Sequence, residues 1–263
     1  MLVALTRAVS ATFNDCQLTY KKRESIDVAL ARRQHRAYEQ ALESLGVTVT
    51  TLPARDEFPD AVFVEDAAIV LDELAVVTTL GTPSRAAEGD AIAETLAKFR
   101  PVHRITPPGT LDGGDVVRID KALYVGRSTR SNDAGIAQLR AILAPFGYTV
   151  TAVPMNGALH LKTACTYAGR GTLLANRAWV DASEFKGVAI LHAAEPWGAS
   201  VLEVNGTLVV PASYPKTKAL LERAGFKTLA IDLSELQKAE GGPTCLSLIF
   251  ENGGPSSVVH SRE

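Results

Sequence analysis

The sequence predicts an α/β fold, a five-bladed pseudo-symmetric α/β propeller of ββαβ modules. Three observations predict it. Residues 46–52, 147–153 and 225–231 each open on a glycine and continue as an alternating, β-branched run; the glycine suits the left-handed residue that closes a helix, and the run suits a strand. Pairs of strand-like runs joined by tight turns begin near residues 61, 115, 160 and 200, and one more strand begins near 245. Self-similarity at this spacing, about 40 to 50 residues, marks a repeat architecture such as a propeller. Finally, the last unit is complete only if residues 246–250 pair with residues 2–5, which closes the ring and removes exposed sheet edges. An ordinary α/β sheet with chance likenesses is the competing reading.

In order, residues 2–5 form the strand that the C-terminus joins. A helix over 25–45 follows, with Ser25 as N-cap and an apolar stripe through Ile26, Leu30, Ala37, Ala41 and Leu45. The first hairpin pairs 61–70 with 74–78 across Asp72-Glu73, and the second pairs 115–119 with 122–125 across Asp120-Lys121. A helix from Asn132 presents Ile136, Leu139 and Leu143 on one side. The third hairpin pairs 160–166 with 172–175, and residues 181–186 offer barely a helical turn. The fourth pairs 200–204 with 207–210 through Asn205-Gly206, a strong hairpin signal. Pro215 opens the next helix. One domain spans 1–251, and residues 252–263, small and polar, read as a flexible tail.

Lys and Arg number 27 against 29 Asp and Glu, for a formal charge of −2. That balance offers no basic field for nucleic acid or anionic lipid. No apolar run approaches the roughly 18 residues of a membrane span, and the N-terminus has no signal-peptide pattern. The three cysteines, Cys16, Cys165 and Cys245, are far apart and odd in number, which fits neither a disulfide framework nor metal-ligand spacing. A cytoplasmic protein without cofactor or metal is expected.

In a ring of modules the first strands line the axis, so polar residues at or just before them converge. These are Asp60 with Glu65 and Asp66, Asp112 with Asp115, His160, and Cys245. A cysteine attacks as its thiolate, and a histidine can pair with it or protonate a leaving group. Carboxylates beside them favour a cation, and a planar guanidinium suits forked pairing best. Arg85, Arg127 and Arg130 follow second strands and suit either a carboxylate clamp or a surface position. His160 in its apolar stretch, Asp112 before Gly113-Gly114, and Cys245 after Gly241-Gly242-Pro243-Thr244 each also have a purely structural reading. Cys165 reads as core and Cys16 as part of a polar loop, residues 12–19, which is either a lid or inert.

Four motifs together resemble one family: Phe63-Val-Glu-Asp66, Leu111-Asp-Gly-Gly-Asp-Val116, Leu159-His-Leu-Lys-Thr163 and Gly242-Pro-Thr-Cys-Leu-Ser247. They are similar to the motifs of dimethylarginine dimethylaminohydrolases, guanidine-modifying enzymes with the pentein fold. The likeness covers about residues 1–251. It implies hydrolysis of Nω-methylated arginine to citrulline and methylamine or dimethylamine, with Cys245 as nucleophile, His160 as proton carrier and Asp112 as the third catalytic acid. It implies that Asp60 and Asp66, with Glu65 beside them, bind the guanidino end. Arg85 and Arg130 match positions that hold the substrate carboxylate, and Leu18 a lid residue whose backbone touches the amino group; Arg127 has no counterpart. The partner implied is a small guanidino amino acid, and a homodimer is compatible. Pro243 is a feature shared with arginine deiminases, and Lys238-Ala-Glu240 has no matched role. The alternatives are an arginine deiminase-like hydrolase of another guanidino or ureido amino acid, and a non-catalytic pentein binding module.

Overall fold

A computed structural model describes residues 1–252. In chain order its elements are β1 (Leu2–Arg7), α1 (Val28–Ser44), β2 (Thr48–Leu52), β3 (Ala68–Val70), β4 (Ala75–Val77), α2 (Gly89–Leu96) and β5 (Val102–Arg104). Then come β6 (Val116–Ile119), β7 (Ala122–Arg127), α3 (Asp133–Leu143), β8 (Thr149–Pro154), α4 (Leu161–Ala164), β9 (Cys165–Gly169), β10 (Thr172–Ala175) and β11 (Ala189–His192). The chain finishes with β12 (Leu202–Val204), β13 (Thr207–Pro211), α5 (Pro215–Arg223), β14 (Lys227–Ile231), α6 (Ser234–Lys238) and β15 (Leu248–Glu251).

The strands form five three-stranded sheets, ordered β15-β1-β2, β3-β4-β5, β6-β7-β8, β9-β10-β11 and β12-β13-β14. In each, the first pair is antiparallel and the second parallel. A tight turn suffices for the antiparallel step, whereas the parallel step needs a crossover. Helices α1, α2, α3 and α5 supply four crossovers; the fourth module uses only the turn Ala182–Glu184. The expected closure is present: Leu2 pairs with Glu251 and Leu5 with Leu248. Both chain ends thus share one sheet.

The core is divided in the same way. Among the described residues five apolar clusters occur, and each bridges neighbouring modules. Fully buried Tyr38 of α1, for example, shares a cluster with Ala4 of β1 and Val209 of β13, and Leu139 of α3 shares one with Val76 of β4 and Leu123 of β7. Every seam is therefore an apolar interface, and no module is covered without its neighbours.

Two sequence expectations need correction. Helix α1 begins at Val28 rather than near Ser25, because the Asp27 carboxylate accepts from Leu30 N and takes the capping role. The polar loop of residues 12–19 is present and largely exposed, with Phe13 and Cys16 anchoring it in the first cluster. The first strand of each module also starts later than expected. Residues 64–67 and 113–115 are single 3₁₀ turns, 161–164 is one α-turn, and 243–246 is a turn. The apolar runs read as strand begin as these turns. The expected tail falls, from residue 253 on, outside the described residues.

Candidate active site

Those turns position the chemistry. They precede the first strands of four of the five modules, and Asp66, His160 and Cys245 at these turns reach one cleft. Glu65 and Asp66 ride on the turn before β3, Asp112 opens the one before β6, His160 precedes α4, and Cys245 lies in the turn before β15. Glycines make the close approach feasible. A Cβ on Gly113 would lie 2.1 Å from the Glu65 carbonyl oxygen, and one on Gly114 2.7 Å from both Asp66 Oδ1 and His160 Nδ1. Glu65 N also donates to the Cys245 carbonyl at 3.2 Å, tying two turns together.

One cleft contains Cys245, His160, Asp60, Asp66, Arg85 and Arg130, with Gln17, Phe63, Leu159, Ala239, Glu240 and Gly241 completing its walls. The sulfur and the imidazole, far apart in sequence, therefore share an acid-lined hollow. Cys245 Sγ accepts from Gly242 N at 3.3 Å. Ser247, two residues on, bonds the Tyr38 hydroxyl at 2.6 Å, which anchors this turn to α1.

His160 stands between two acids. Its Nε2 is 3.0 Å from Asp112 Oδ2 and its Nδ1 is 3.6 Å from Asp66 Oδ1. Burial alone would lower its pKa, but Asp66, the Asp112 hydrogen bond and Asp115 outweigh it and hold the imidazolium to about 9. Burial pushes the Cys245 thiol up to about 12, with Glu65 and Asp66 adding to the rise. The groups around the cleft thus favour a neutral thiol beside an imidazolium. Burial would also raise Asp66, yet His160 and Arg85 prevail and keep it below the usual carboxylate range. Asp60 shifts upward, mainly through burial.

Asp112 is fully buried, and its Oδ1 accepts from Gly81 N at 2.8 Å. Asp115 does not face the cleft. Its Oδ1 accepts from Leu161 N, and its Oδ2 accepts from the Ser128 and Ser131 hydroxyls. It fixes the residue that follows His160, and burial raises its own pKa to about 6. Asp66, Asp112 and His160 each offer a ligand atom within 4.8 Å of the others. His160 Nε2 is already hydrogen-bonded to Asp112, and a histidine held as imidazolium has no lone pair for a metal, so the trio suits proton handling.

The remaining sequence candidates are placed as follows. Glu65 turns away from the cleft: its Oε1 bonds Lys162 Nζ at 2.6 Å and lines a separate cavity of about 370 Å³ ringed by first-strand residues. Arg85 lines the cleft but is already engaged, with Asp66 at 2.7 Å and Glu88 at 2.8 Å. Leu18 packs on the first apolar cluster, and its neighbour Gln17 takes the place in the wall. Arg127 is exposed and pairs with Asp133, whereas Arg130 is buried at the cleft, 3.3 Å from the Thr19 hydroxyl. Cys165 is core, as expected, and burial raises its thiol far out of the reactive range. Sequence reasoning missed Gln17 as a cleft residue and Lys162 as the partner of Glu65, and it singled out Lys238-Ala-Glu240 without a role; Ala239 and Glu240 line the cleft. The signal for Lys162 was the buried acid itself, which requires a cation.

A family profile described as "N,N dimethylarginine dimethylhydrolase, eukaryotic" matches residues 4–173. The N(G),N(G)-dimethylarginine dimethylaminohydrolase of Pseudomonas aeruginosa is 38% identical over 228 residues, 85% of this chain and 90% of that protein. The chain belongs to the dimethylarginine dimethylaminohydrolase family. The enzyme of the same name from Streptomyces coelicolor is 39% identical over 247 residues, 93% of this chain and 95% of its own. Among solved structures, a cysteine-to-serine mutant of the Pseudomonas aeruginosa dimethylarginine dimethylaminohydrolase complexed with citrulline superposes with a TM-score of 0.90 at 35% identity. It covers 94% of this chain and 98% of that one. The five-module wheel is accordingly the pentein fold of guanidine-modifying enzymes.

Proposed function

We propose that the chain hydrolyses Nω-methylated arginines, asymmetric dimethylarginine or monomethylarginine, to citrulline and dimethylamine or methylamine. The observation that carries this reading is the shared cleft of Cys245, His160 and the acids Asp60 and Asp66, in a chain so similar to an enzyme captured with citrulline.

Asp60 and Asp66 receive the guanidinium, and its charge offsets the acids that hold the Cys245 thiol protonated. The thiol gives its proton to solvent as the cation binds, and the resulting thiolate attacks the guanidinium carbon. A C–S bond forms, His160 gives its proton to the substituted nitrogen, and the C–N bond breaks to release the methylated amine. An S-alkylthiouronium remains on Cys245. Neutral His160 now takes a proton from water, whose oxygen adds to the same carbon. Collapse breaks the C–S bond, the hydroxyl proton passes to the departing sulfur, and the ureido group of citrulline is left beside a restored Cys245 thiol and His160 imidazolium. Asp112 keeps the imidazole oriented through Nε2 and stabilises its charged form. Arg130 is the best-placed cation for the substrate carboxylate. Arg85 serves it only by loosening its pairs with Asp66 and Glu88, and Leu18 contributes through its backbone.

Residues 1–251 act as one catalytic domain, the guanidino amino acid is the partner, and the cytoplasm is the compartment. No helix among the described residues is long and apolar enough to cross a membrane. A panel of asymmetric dimethylarginine, monomethylarginine and arginine, scored by citrulline and by the amine released, tests the reading. Citrulline with the methylated amines supports it. Ammonia from unmethylated arginine as the preferred reaction would reassign the chain to a deiminase activity, and no citrulline from any of them would leave it without support.

A further inference from the structure

The segment Lys238-Ala-Glu240 carries an unused device. Glu240 has φ +62, a left-handed conformation that a residue with a side chain seldom adopts. Gly241 follows, where a Cβ would lie 2.4 Å from the Phe63 ring, so the backbone here is packed tightly. The buried Glu240 carboxylate reaches across the cleft to the loop of residues 12–24. Its Oε1 accepts three consecutive backbone N–H groups, from Thr19 at 3.1 Å, Tyr20 at 2.6 Å and Lys21 at 2.6 Å. Three converging amides form an anion-binding concavity, and an ionised carboxylate fills it best. Oε2 is buried and has no hydrogen-bond partner.

The loop is exposed at Thr19 and Tyr20, and on its cleft side Gln17 N donates to both Asp60 oxygens. Thr19 in turn meets Arg130. The three amide bonds to Glu240, beside a single side-chain bond from Lys21 Nζ to the Gln237 carbonyl at 2.6 Å, hold the loop above two cleft residues of opposite charge. We propose that Glu240 is a positioning residue that latches the 12–24 loop over the cleft through its charge, and so sets the affinity for the amino-acid end of the substrate. The substrate part of this rests on the function proposed above; the latch itself does not.

Glu240→Gln keeps the shape and removes the charge, and Glu240→Ala removes the acceptor. Hydrogen exchange at Thr19, Tyr20 and Lys21 should quicken about tenfold or more in Glu240→Gln, and further in Glu240→Ala, with β1 and β15 amides unchanged. KM for the methylated arginine should rise about tenfold while kcat stays within about threefold. Glu240→Asp, one methylene shorter, should fall between wild type and Glu240→Gln on both measures. Unchanged exchange in the loop, exchange raised equally in β1 and β15, or a fall in kcat at constant KM would each overturn the latch. The exchange arm needs no substrate, so it decides the latch even if the wild type makes no citrulline.

Discussion

The two nitrogens of His160 face different acids: Nε2 is hydrogen-bonded to Asp112 at 3.0 Å, and Nδ1 lies 3.6 Å from Asp66 Oδ1, a buried oxygen without a hydrogen-bond partner. Asp112 is fully buried behind the ring and Asp66 lines the cleft, so the ring can keep its orientation while its other side exchanges a proton. Asp112→Asn should leave the fold intact and lower kcat by about 10²–10⁴-fold, as when a histidine loses its orienting carboxylate. The His160 pKa, followed by NMR, should move down from its raised position, because a charge that stabilised the imidazolium is gone. An unmoved pKa with full activity would remove Asp112 from the mechanism.

Cys245 titrates in the opposite direction to that of a thiol built to rest as thiolate. Alkylation of Cys245 in the free protein should accelerate with rising pH throughout the range up to about 12. A bound guanidinium compound too small to cover the sulfur should shift that profile to lower pH, since it offsets Glu65 and Asp66. A plateau near neutral pH without any cation would contradict the neutral resting thiol.

His160 also couples stability to pH. Its folded pKa, about 9, lies above the ordinary 6.5. The stabilisation is therefore fully present below pH 6.5 and is lost as pH rises through 9. The loss is on the order of a few kcal/mol. Denaturant titrations at pH 6.5 and 9.5 should show it, and His160→Gln should flatten that interval. Asp115, raised to about 6, acts in an earlier window: its contribution is greatest below its ordinary 3.8 and is lost as pH rises through 6.

Gly113 tests the meeting of the turns. Gly113→Ala forces a methyl to within 2.1 Å of the Glu65 carbonyl oxygen, which is backbone and cannot swing away. A loss of about 2–4 kcal/mol is expected, with kcat reduced because Glu65 N also holds the Cys245 carbonyl. A variant as stable and active as wild type would mean that the turns can separate freely.

The wheel was legible because its signals are local and repeated. Gly46, Gly147 and Gly225 all have positive φ, where a helix gives way to a strand, and Asn205-Gly206 makes its turn as expected. The turns before the first strands were not legible. Three or four residues show no helical period, and their buried apolar neighbours imitate a strand. Cys245, His160 and Asp66 were legible as a set through equivalence of position. Glu240 and Lys162 were not: each acts on a segment far away in sequence, and only packing reveals which acid faces the cleft and which faces the rear cavity. Arg85 carries the same lesson, because its buried partners Asp66 and Glu88 could not be read from a spacing.

The most direct measurement is the mass of the Cys245 peptide after acid quenching of turnover with asymmetric dimethylarginine. The account predicts a thiouronium adduct on Cys245 that retains the substrate's amino-acid chain and lacks dimethylamine, and a Cys245→Ser variant that forms neither adduct nor citrulline. Citrulline production by the Cys245→Ser variant, or by a wild type whose Cys245 stays unmodified at every quench time, would contradict it.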